Sequence, residues 1–495
     1  MTTLALNASQ RLAVEHRGGP LLILAGAGSG KTRVLTGRLA HLVDVEQVRP
    51  DRIFAVTFTN RAAAEMRARV TQLLGREPAG LWIGTFHSLA ARLLRREAHR
   101  LGFTPQFTIY DEADRLALIK RLLENRGYAP KMFPPRLVQS LISGAKNRLV
   151  PPDEFAAAAD DRLSRVAGEI YVDLERALAQ ANAMDFDDLL LHPLTLFRQH
   201  PDRLRHYQER FQNVLVDEFQ DTNRAQYLLV RGLAAEHRRI SVVGDDDQSI
   251  YGWRGADVRN MLDFQRDFPD TTMVRLEENY RSTQMILDAA NAVIAENSER
   301  LGKTLFTSRR GGEPVSVVAM ADERDEAEWV ARELKARMAT DHYAAADLAV
   351  LYRTNAQSRA FEEAFRRVAL PHQVIGTVSF YDRREVKDLV AYLRLVVNPA
   401  DDEAFLRAVQ TPKRGIGVTT LALLQDTARQ WGKPLLETAT IADRIPGLRP
   451  IAKASLQEFA ALLARLREGL AETTPASLLE RIVEAIHYED VLAAE

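Results

Sequence analysis

Residues 21–32 read Leu21-Leu22-Ile23-Leu24-Ala25-Gly26-Ala27-Gly28-Ser29-Gly30-Lys31-Thr32, and the order of residue types in this stretch decides the fold. Leu21–Leu24 is a short, unbroken apolar run, as expected of a strand buried on both faces of a parallel sheet. Gly26, Gly28 and Gly30 then alternate with Ala25, Ala27 and Ser29. Missing Cβ atoms let the backbone N–H groups curl around an anion. Lys31 and Thr32 open a helix whose N-terminal dipole also favours phosphate. Lys31 is placed to reach the β- and γ-phosphates and the Thr32 hydroxyl to ligate Mg²⁺; a bare Gly-rich turn would need neither. ATP and Mg²⁺ are the expected cofactors.

Working outward, Ile53–Phe58 and Leu81–Thr85 read as further buried strands separated by helices, the pattern of an α/β sheet. After His87 the texture turns helical as far as Asp185, with turns at Ala129-Pro130, Pro134-Pro135 and Pro151-Pro152. Strand-like runs return at Val214–Val216, Ile240–Val243 and Met273–Leu276. A second series is expected at Val315–Met320, Leu348–Tyr352 and His372–Ile375, before a helical stretch from Arg384 onward. The layout is sheet, helical insert, sheet, helical insert.

The bulk numbers agree with a multidomain soluble chain. There are 495 residues, 46% hydrophobic and 27% charged, too many for one core and too apolar for disorder. Lys plus Arg (66) and Asp plus Glu (67) nearly cancel, so net charge does not point to a nucleic-acid partner, although a local groove can still be basic. The absence of cysteine excludes disulfides, thiolate zinc sites and a Cys nucleophile. No run approaches a bilayer span and the N-terminus lacks the order of a signal peptide, so a cytoplasmic location is expected.

Val214-Leu215-Val216-Asp217-Glu218 supplies the other half of the nucleotide site. Placed at the end of a strand beside the loop strand, Asp217 is expected to hold the metal and Glu218 to orient and deprotonate water. That pairing suggests hydrolysis rather than transfer to an acceptor. Downstream, Gln248-Ser249-Ile250-Tyr251-Gly252-Trp253-Arg254-Gly255-Ala256 joins a candidate γ-phosphate sensor, Gln248, to an aromatic and basic cluster. Tyr251 and Trp253 fit either core aromatics or a stacking platform, and the Gly-flanked alternation with Arg254 suits the platform. Arg92, Arg95, Arg96, His99 and Arg100 form a helically spaced stripe that could track phosphates but reads better as a solvated face.

These motifs, taken in order, resemble the superfamily 1 DNA helicases of the UvrD/Rep/PcrA group. The resemblance runs through Leu6-Asn7-Ala8-Ser9-Gln10, the Gly-rich loop, Thr57-Phe58-Thr59-Asn60, Gly84-Thr85-Phe86-His87-Ser88 and Asp185-Phe186-Asp187-Asp188-Leu189. It continues through Asp217-Glu218-Phe219-Gln220-Asp221, the Gln248–Ala256 segment and Glu278-Asn279-Tyr280-Arg281-Ser282. Tyr352-Arg353-Thr354-Asn355 and the segment from Phe380 to Asp388 complete it. A kinase or transporter ATPase does not account for the Gln248 segment or for Asn279-Tyr280-Arg281.

The resemblance implies two RecA-like parallel-sheet domains, each with a helical insertion. The first comprises residues 1–88 and 186–279 with its insertion at 89–185. The second comprises 280–383, with its insertion at 384–495. Gln10 should read adenine, Tyr280 should stack on it, and Arg33 should help hold the nucleotide. Arg281 should reach the γ-phosphate from the second domain, as a permanent forked donor can. Single-stranded DNA and its junctions with duplex are the implied partners, contacted by Phe58, Asn60, His87, Phe186, Tyr251, Trp253, Arg254, Arg353 and Asn355. By themselves, Phe58 and Phe186 would be read as core and His87 as structural. The implied activity is 3′-to-5′ movement on DNA in repair or replication.

Two further motifs of the family, a Gly-Leu-Glu segment and a Tyr-Val-x-x-Thr-Arg segment, are absent. The chain is therefore expected to be truncated, with an incomplete second domain. The alternative is a fragment that binds single-stranded DNA and nucleotide without productive unwinding.

Overall fold

A computed structural model describes residues 5–297, 300–375 and 383–493, with the side chain of Arg254 and the residues Phe380, Tyr381 and Asp382 outside the described set. The chain divides into two compact units, residues 1–313 with 392–495, and residues 314–391. Among the described residues no helix is long and apolar enough to cross a membrane.

The first unit is built on a six-stranded sheet in which every pairing is parallel. Its elements are α1 (Ala8–Glu15), β1 (Leu21–Ala25), α2 (Lys31–Asp44), β2 (Ile53–Thr57), α3 (Asn60–Leu74), β3 (Trp82–Thr85) and α4 (Phe86–Glu97). The helical insertion holds β4 (Thr108–Ile109), α5 (Glu112–Asn125), α6 (Pro135–Asn147), α7 (Pro152–Ala157), α8 (Arg162–Gln180) and β5 (Ala183–Met184). The sheet domain resumes with α9 (Asp188–Gln199), α10 (Pro201–Arg210), β6 (Asn213–Val216), α11 (Arg224–Ala234), β7 (Ile240–Gly244), α12 (Arg259–Asp267) and β8 (Thr272–Leu276).

Local chemistry sets the helix starts that position the site. Asn7 caps α1 in a reciprocal box with Gln10, Thr59 caps α3 and Thr85 caps α4. Each cap satisfies a backbone N–H that would otherwise lack a partner. Strands β1, β2, β6 and β7 are buried at every residue, because helices cover both faces of the sheet. One aromatic core gathers Phe54, Trp82, Phe86, Tyr207, Phe211 and Phe219 under the sheet, and the insertion has its own core around Ile119, Ile142, Ile170 and Leu174.

Two expectations need correction here. The strand order is β3-β2-β6-β7-β1-β8, so β6 does not lie beside the loop strand; β7 separates them. The insertion is not wholly helical either. Its ends are stitched by the parallel pair β4–β5, two residues each, too short to leave a periodic signal.

Residues 392–493 are helical, as expected, and are tied by hydrogen bonds to the first insertion. Asn398 Nδ2 donates to Thr108 Oγ1 at 2.9 Å and to the Ala181 carbonyl at 2.9 Å. Arg394 Nη1 donates to Asp114 Oδ2 at 2.7 Å, and the Tyr110 hydroxyl donates to Asp401 Oδ1 at 3.0 Å.

The second unit packs the helices Glu323–Thr340 and Ser358–Arg367 through Ala327, Ala331, Phe361, Ala364 and Phe365. The three expected strands of this region carry no strand pairing among the described residues. Val317 and Leu351 are 96% and 95% exposed. β-branched and apolar residues favour extended backbone, but a strand exists only where a neighbour takes its N–H and C=O groups.

Candidate nucleotide and nucleic-acid site

The nucleotide half of the site lies at the C-terminal ends of the sheet strands. Gly28 and Gly30 adopt positive φ, +67° and +93°, a conformation that L side chains rarely hold. The loop is braced from behind: Ser29 Oγ donates to the Gly26 carbonyl at 2.7 Å, and buried Gln10 donates Nε2 to the Ser29 carbonyl at 2.9 Å. Gln10 therefore supports the loop directly. A Cβ at Gly30 would come within 2.9 Å of that Gln10 amide.

Lys31 projects toward two carboxylates, Asp245 Oδ2 at 3.5 Å and Glu218 Oε2 at 3.7 Å. Its ammonium is buried and has no hydrogen-bond partner among the described residues. The interposed β7 explains the first contact. Neighbouring strands are about 4.8 Å apart, so the residue that ends β7 is closer to the loop than one that ends β6. Asp245 is the functional residue that sequence reasoning missed, because strand order is not written in the motif spacing.

Glu218 takes positive φ, +47°, which turns it out of line with Asp217. Gln220 then organises the pair of strand ends: it donates Nε2 to Glu218 Oε2 at 2.9 Å, while its Oε1 accepts from the Asp245 N–H at 2.9 Å. Gln248 donates its amide to Asp245 Oδ2. The carboxyl of Asp217 is pushed up to about 7 by burial and then by the Glu218 charge, and that of Asp221 to about 6 by the same two causes. A buried carboxyl this poorly compensated, at the C-terminal end of a strand, is a hard oxygen donor of the kind that suits Mg²⁺. The neighbouring carboxylates of Asp245, Asp246 and Asp247 also cluster, but Lys303 already fills that cluster, with Nζ 2.7 Å from Asp245 and 2.8 Å from Asp247. Lys303 carried no signal in the sequence, since it lies 21 residues beyond Ser282, the end of the nearest motif before it.

Tyr280 and Arg281 meet the loop from the far side, and both belong to the same compact unit as the loop rather than to residues 314–391. Asn279 does the anchoring: it donates Nδ2 to the Ala27 carbonyl at 2.6 Å and accepts the Arg281 N–H at 2.8 Å. The Arg281 Cβ lies so near Gly28 that a side chain there would meet it at 2.8 Å. Tyr280 is partly exposed, accepts from Asn7 at 2.8 Å and donates to Glu278 at 2.6 Å. Arg33, exposed on α2, lies near enough to act on the Tyr280 hydroxyl.

The aromatic residues form a chain across the ends of the strands. The Phe58 and Tyr251 rings are 5.1 Å apart, and Tyr251 and Trp253 are 6.4 Å apart. Trp253 is 66% exposed and Phe186 48% exposed, so neither is a core residue. His87 stands edge-on to Phe186 at 5.6 Å, and burial lowers its pKa against the pull of Asp187. Asn60 is exposed at the start of α3. In the other unit, Arg353 and Asn355 are exposed, and Gln357 accepts the Arg353 N–H at 3.0 Å.

The arginine stripe is solvated only in part: Arg96, His99 and Arg100 are exposed, and Arg92 and Arg95 are half-buried. Arg92 and Arg96 lie over Trp82, Arg95 lies over Phe107, and Arg100 pairs with Glu97 at 3.2 Å. Helical spacing places residues on a face; it does not say what aromatic surface that face meets.

A parallel sheet, a phosphate-binding loop and acidic strand ends are the arrangement of the P-loop nucleoside triphosphatases. The UvrD/REP helicase N-terminal domain matches residues 6–269, and the UvrD-like helicase C-terminal domain matches residues 274–440. The chain belongs to the UvrD/Rep helicase family. It is 44% identical over 490 residues to the ATP-dependent DNA helicase PcrA of Bacillus subtilis, covering 99% of this chain and 66% of that protein. It is 42% identical over 492 residues to the protein of the same name from Leuconostoc citreum. The chain thus spans about two thirds of the length of the curated relatives it matches. Both family domains are represented among the matched residues.

Proposed function

We propose that this chain is an ATP-dependent DNA helicase motor that hydrolyses ATP to move 3′ to 5′ on single-stranded DNA and to open duplex at junctions. The observation that carries the reading is Lys31: a buried ammonium without a hydrogen-bond partner, at the mouth of a glycine loop and beside two carboxylates. It is built to be completed by an anion.

In this reading Lys31 and the loop N–H groups hold the triphosphate, Gln10 and Tyr280 border the adenine, and Arg33 flanks it. Thr32 and Asp217 would hold Mg²⁺, which neutralises phosphate charge when bound. Glu218 accepts the proton of the attacking water, and Gln220 keeps its carboxylate aimed. Gln248 senses the γ-phosphate through its link to Asp245, and Arg281 offers a permanent cation to the transition state. Phe58, Asn60, His87, Phe186, Tyr251 and Trp253 form the DNA track, with Arg254, Arg353 and Asn355 as further contacts. Stacking tolerates any base, so grip can be exchanged during movement.

The test is ATP turnover with and without single-stranded DNA. Wild-type hydrolysis should rise on adding DNA, and Glu218→Gln should lower turnover by about 10²–10⁴-fold while nucleotide still binds. Hydrolysis indifferent to DNA, or wild-type turnover in the Glu218 variant, overturns the assignment.

A further inference from the structure

Four arginines converge on the edge strand of the sheet. Trp82, the first residue of β3, is wholly buried. The guanidinium carbons of Arg92 and Arg96, one turn apart on α4, lie 4.1 and 5.1 Å from its ring centroid, and that of Arg210, the last residue of α10, lies 5.5 Å away. Arg67, on α3, donates Nη2 to the carbonyl of Ile83, the next residue of β3, at 2.9 Å. Three helices therefore bring four permanent charges to one spot, well inside about one Debye length of each other.

Neighbouring arginines are neutralised and these are not. Arg69 pairs with Glu65, and Arg100 and Arg203 share Glu97. Among the described residues, no ion pair joins Arg67, Arg92, Arg96 or Arg210 to a carboxylate. Burial and then Arg96, Arg210 and Arg67 all weaken the hold of Arg92 on its proton, with no acid opposing them. Two donors here also lack hydrogen-bond partners, Nε of Arg210 and Nε1 of Trp82. The cluster resembles Lys31 in its incompleteness: two buried donors and four cations, half-buried or exposed, gathered without an anion among the described residues.

The geometry points to a phosphate-backbone contact for single-stranded DNA, continuing the track beyond His87 along the β3 edge. This rests on the proposed DNA-binding reading. β3 runs from Trp82 to Thr85 and leads directly to His87, so the arginines lie about 10 Å along the same edge from a track residue. The indole is covered by guanidinium groups and offers no apolar slot for peptide side chains. Forked, permanently charged donors match phosphate oxygens, whatever the base.

The experiment measures the affinity of the full chain for oligothymidylates of about 8 and about 20 nucleotides as salt is varied. Wild type should bind the longer strand more tightly. Arg96→Gln with Arg210→Gln should remove that advantage, a loss of about tenfold at low salt, and lower the log–log salt slope by about 1.4, or about 0.7 per lost contact. Binding of the short strand should not change. Should Arg210→Gln lower the melting temperature, Arg96→Glu alone, at an exposed position, must still remove part of the advantage. Equal binding of both lengths by wild type, or an unchanged long-strand slope in the variants, overturns the edge contact alone. Loss of polyglutamate binding with DNA binding intact also overturns it, in favour of an acidic protein partner. Failure of wild type to bind even the short strand would instead sink the DNA-binding reading.

Discussion

Two buried lysines, one in the sheet domain and one in its helical insertion, show how this molecule separates chemistry from architecture. Lys146, on α6, lies 3.0 Å from Asp185 and 2.7 Å from Glu175, and also pairs closely with Asp188. Burial alone would strip its proton, but the three carboxylates outweigh burial and raise its pKa well above the ordinary value. The network extends outward: Asp187 accepts from Arg115 at 2.6 Å and from Ser143 at 2.7 Å. Asn147 accepts from Asn223 at 2.8 Å, close behind the acidic strand end. Lys31 has carboxylates nearby too, but no hydrogen bond. A buried charge that the protein completes holds the fold; one that it leaves incomplete awaits a ligand.

The largest test of this contrast is Lys146→Met. It leaves Asp185 and Asp188 buried without this cation, and should destabilise the chain by about 3–5 kcal/mol, read as a shift in the denaturant midpoint. A near-neutral result would mean that the network is no more than a packing filler. Lys31→Met should do the converse. Nucleotide affinity should fall by about 2–5 kcal/mol, with the nucleotide-free midpoint moving far less than in the Lys146 variant. If the two variants lose stability equally, the distinction between completed and open charges fails.

The smallest effect belongs to an exposed residue. Trp253→Ala should weaken single-stranded DNA binding by about 1–3 kcal/mol with little sequence preference. At 66% exposure its loss should barely move the melting temperature. A large drop in melting temperature, or unchanged DNA affinity, would return Trp253 to the core and remove the platform.

Some of this could be read directly from the chain. The loop at 25–32 needs only local backbone freedom and one cation, so glycine spacing before Lys31 announces it. The six strands of the first sheet were legible from short apolar runs, four of which are buried at every residue. The strand series at 315–375 was read by the same rule and is unpaired among the described residues, because extended propensity does not supply a hydrogen-bonding neighbour. Phe186 and Trp253 illustrate another limit: an aromatic residue has the same letter in a core and on a platform.

By itself, then, the sequence determined the phosphate loop, the acidic strand end at Asp217-Glu218 and the family to which the motifs belong, since each depends on residues adjacent in the chain. Only the tertiary structure decided that β7 brings Asp245 to Lys31, that Lys303 neutralises three aspartates, and that four arginines meet at Trp82. These contacts join positions tens to hundreds of residues apart, and their partners are chosen by strand order and helix packing rather than by spacing along the chain.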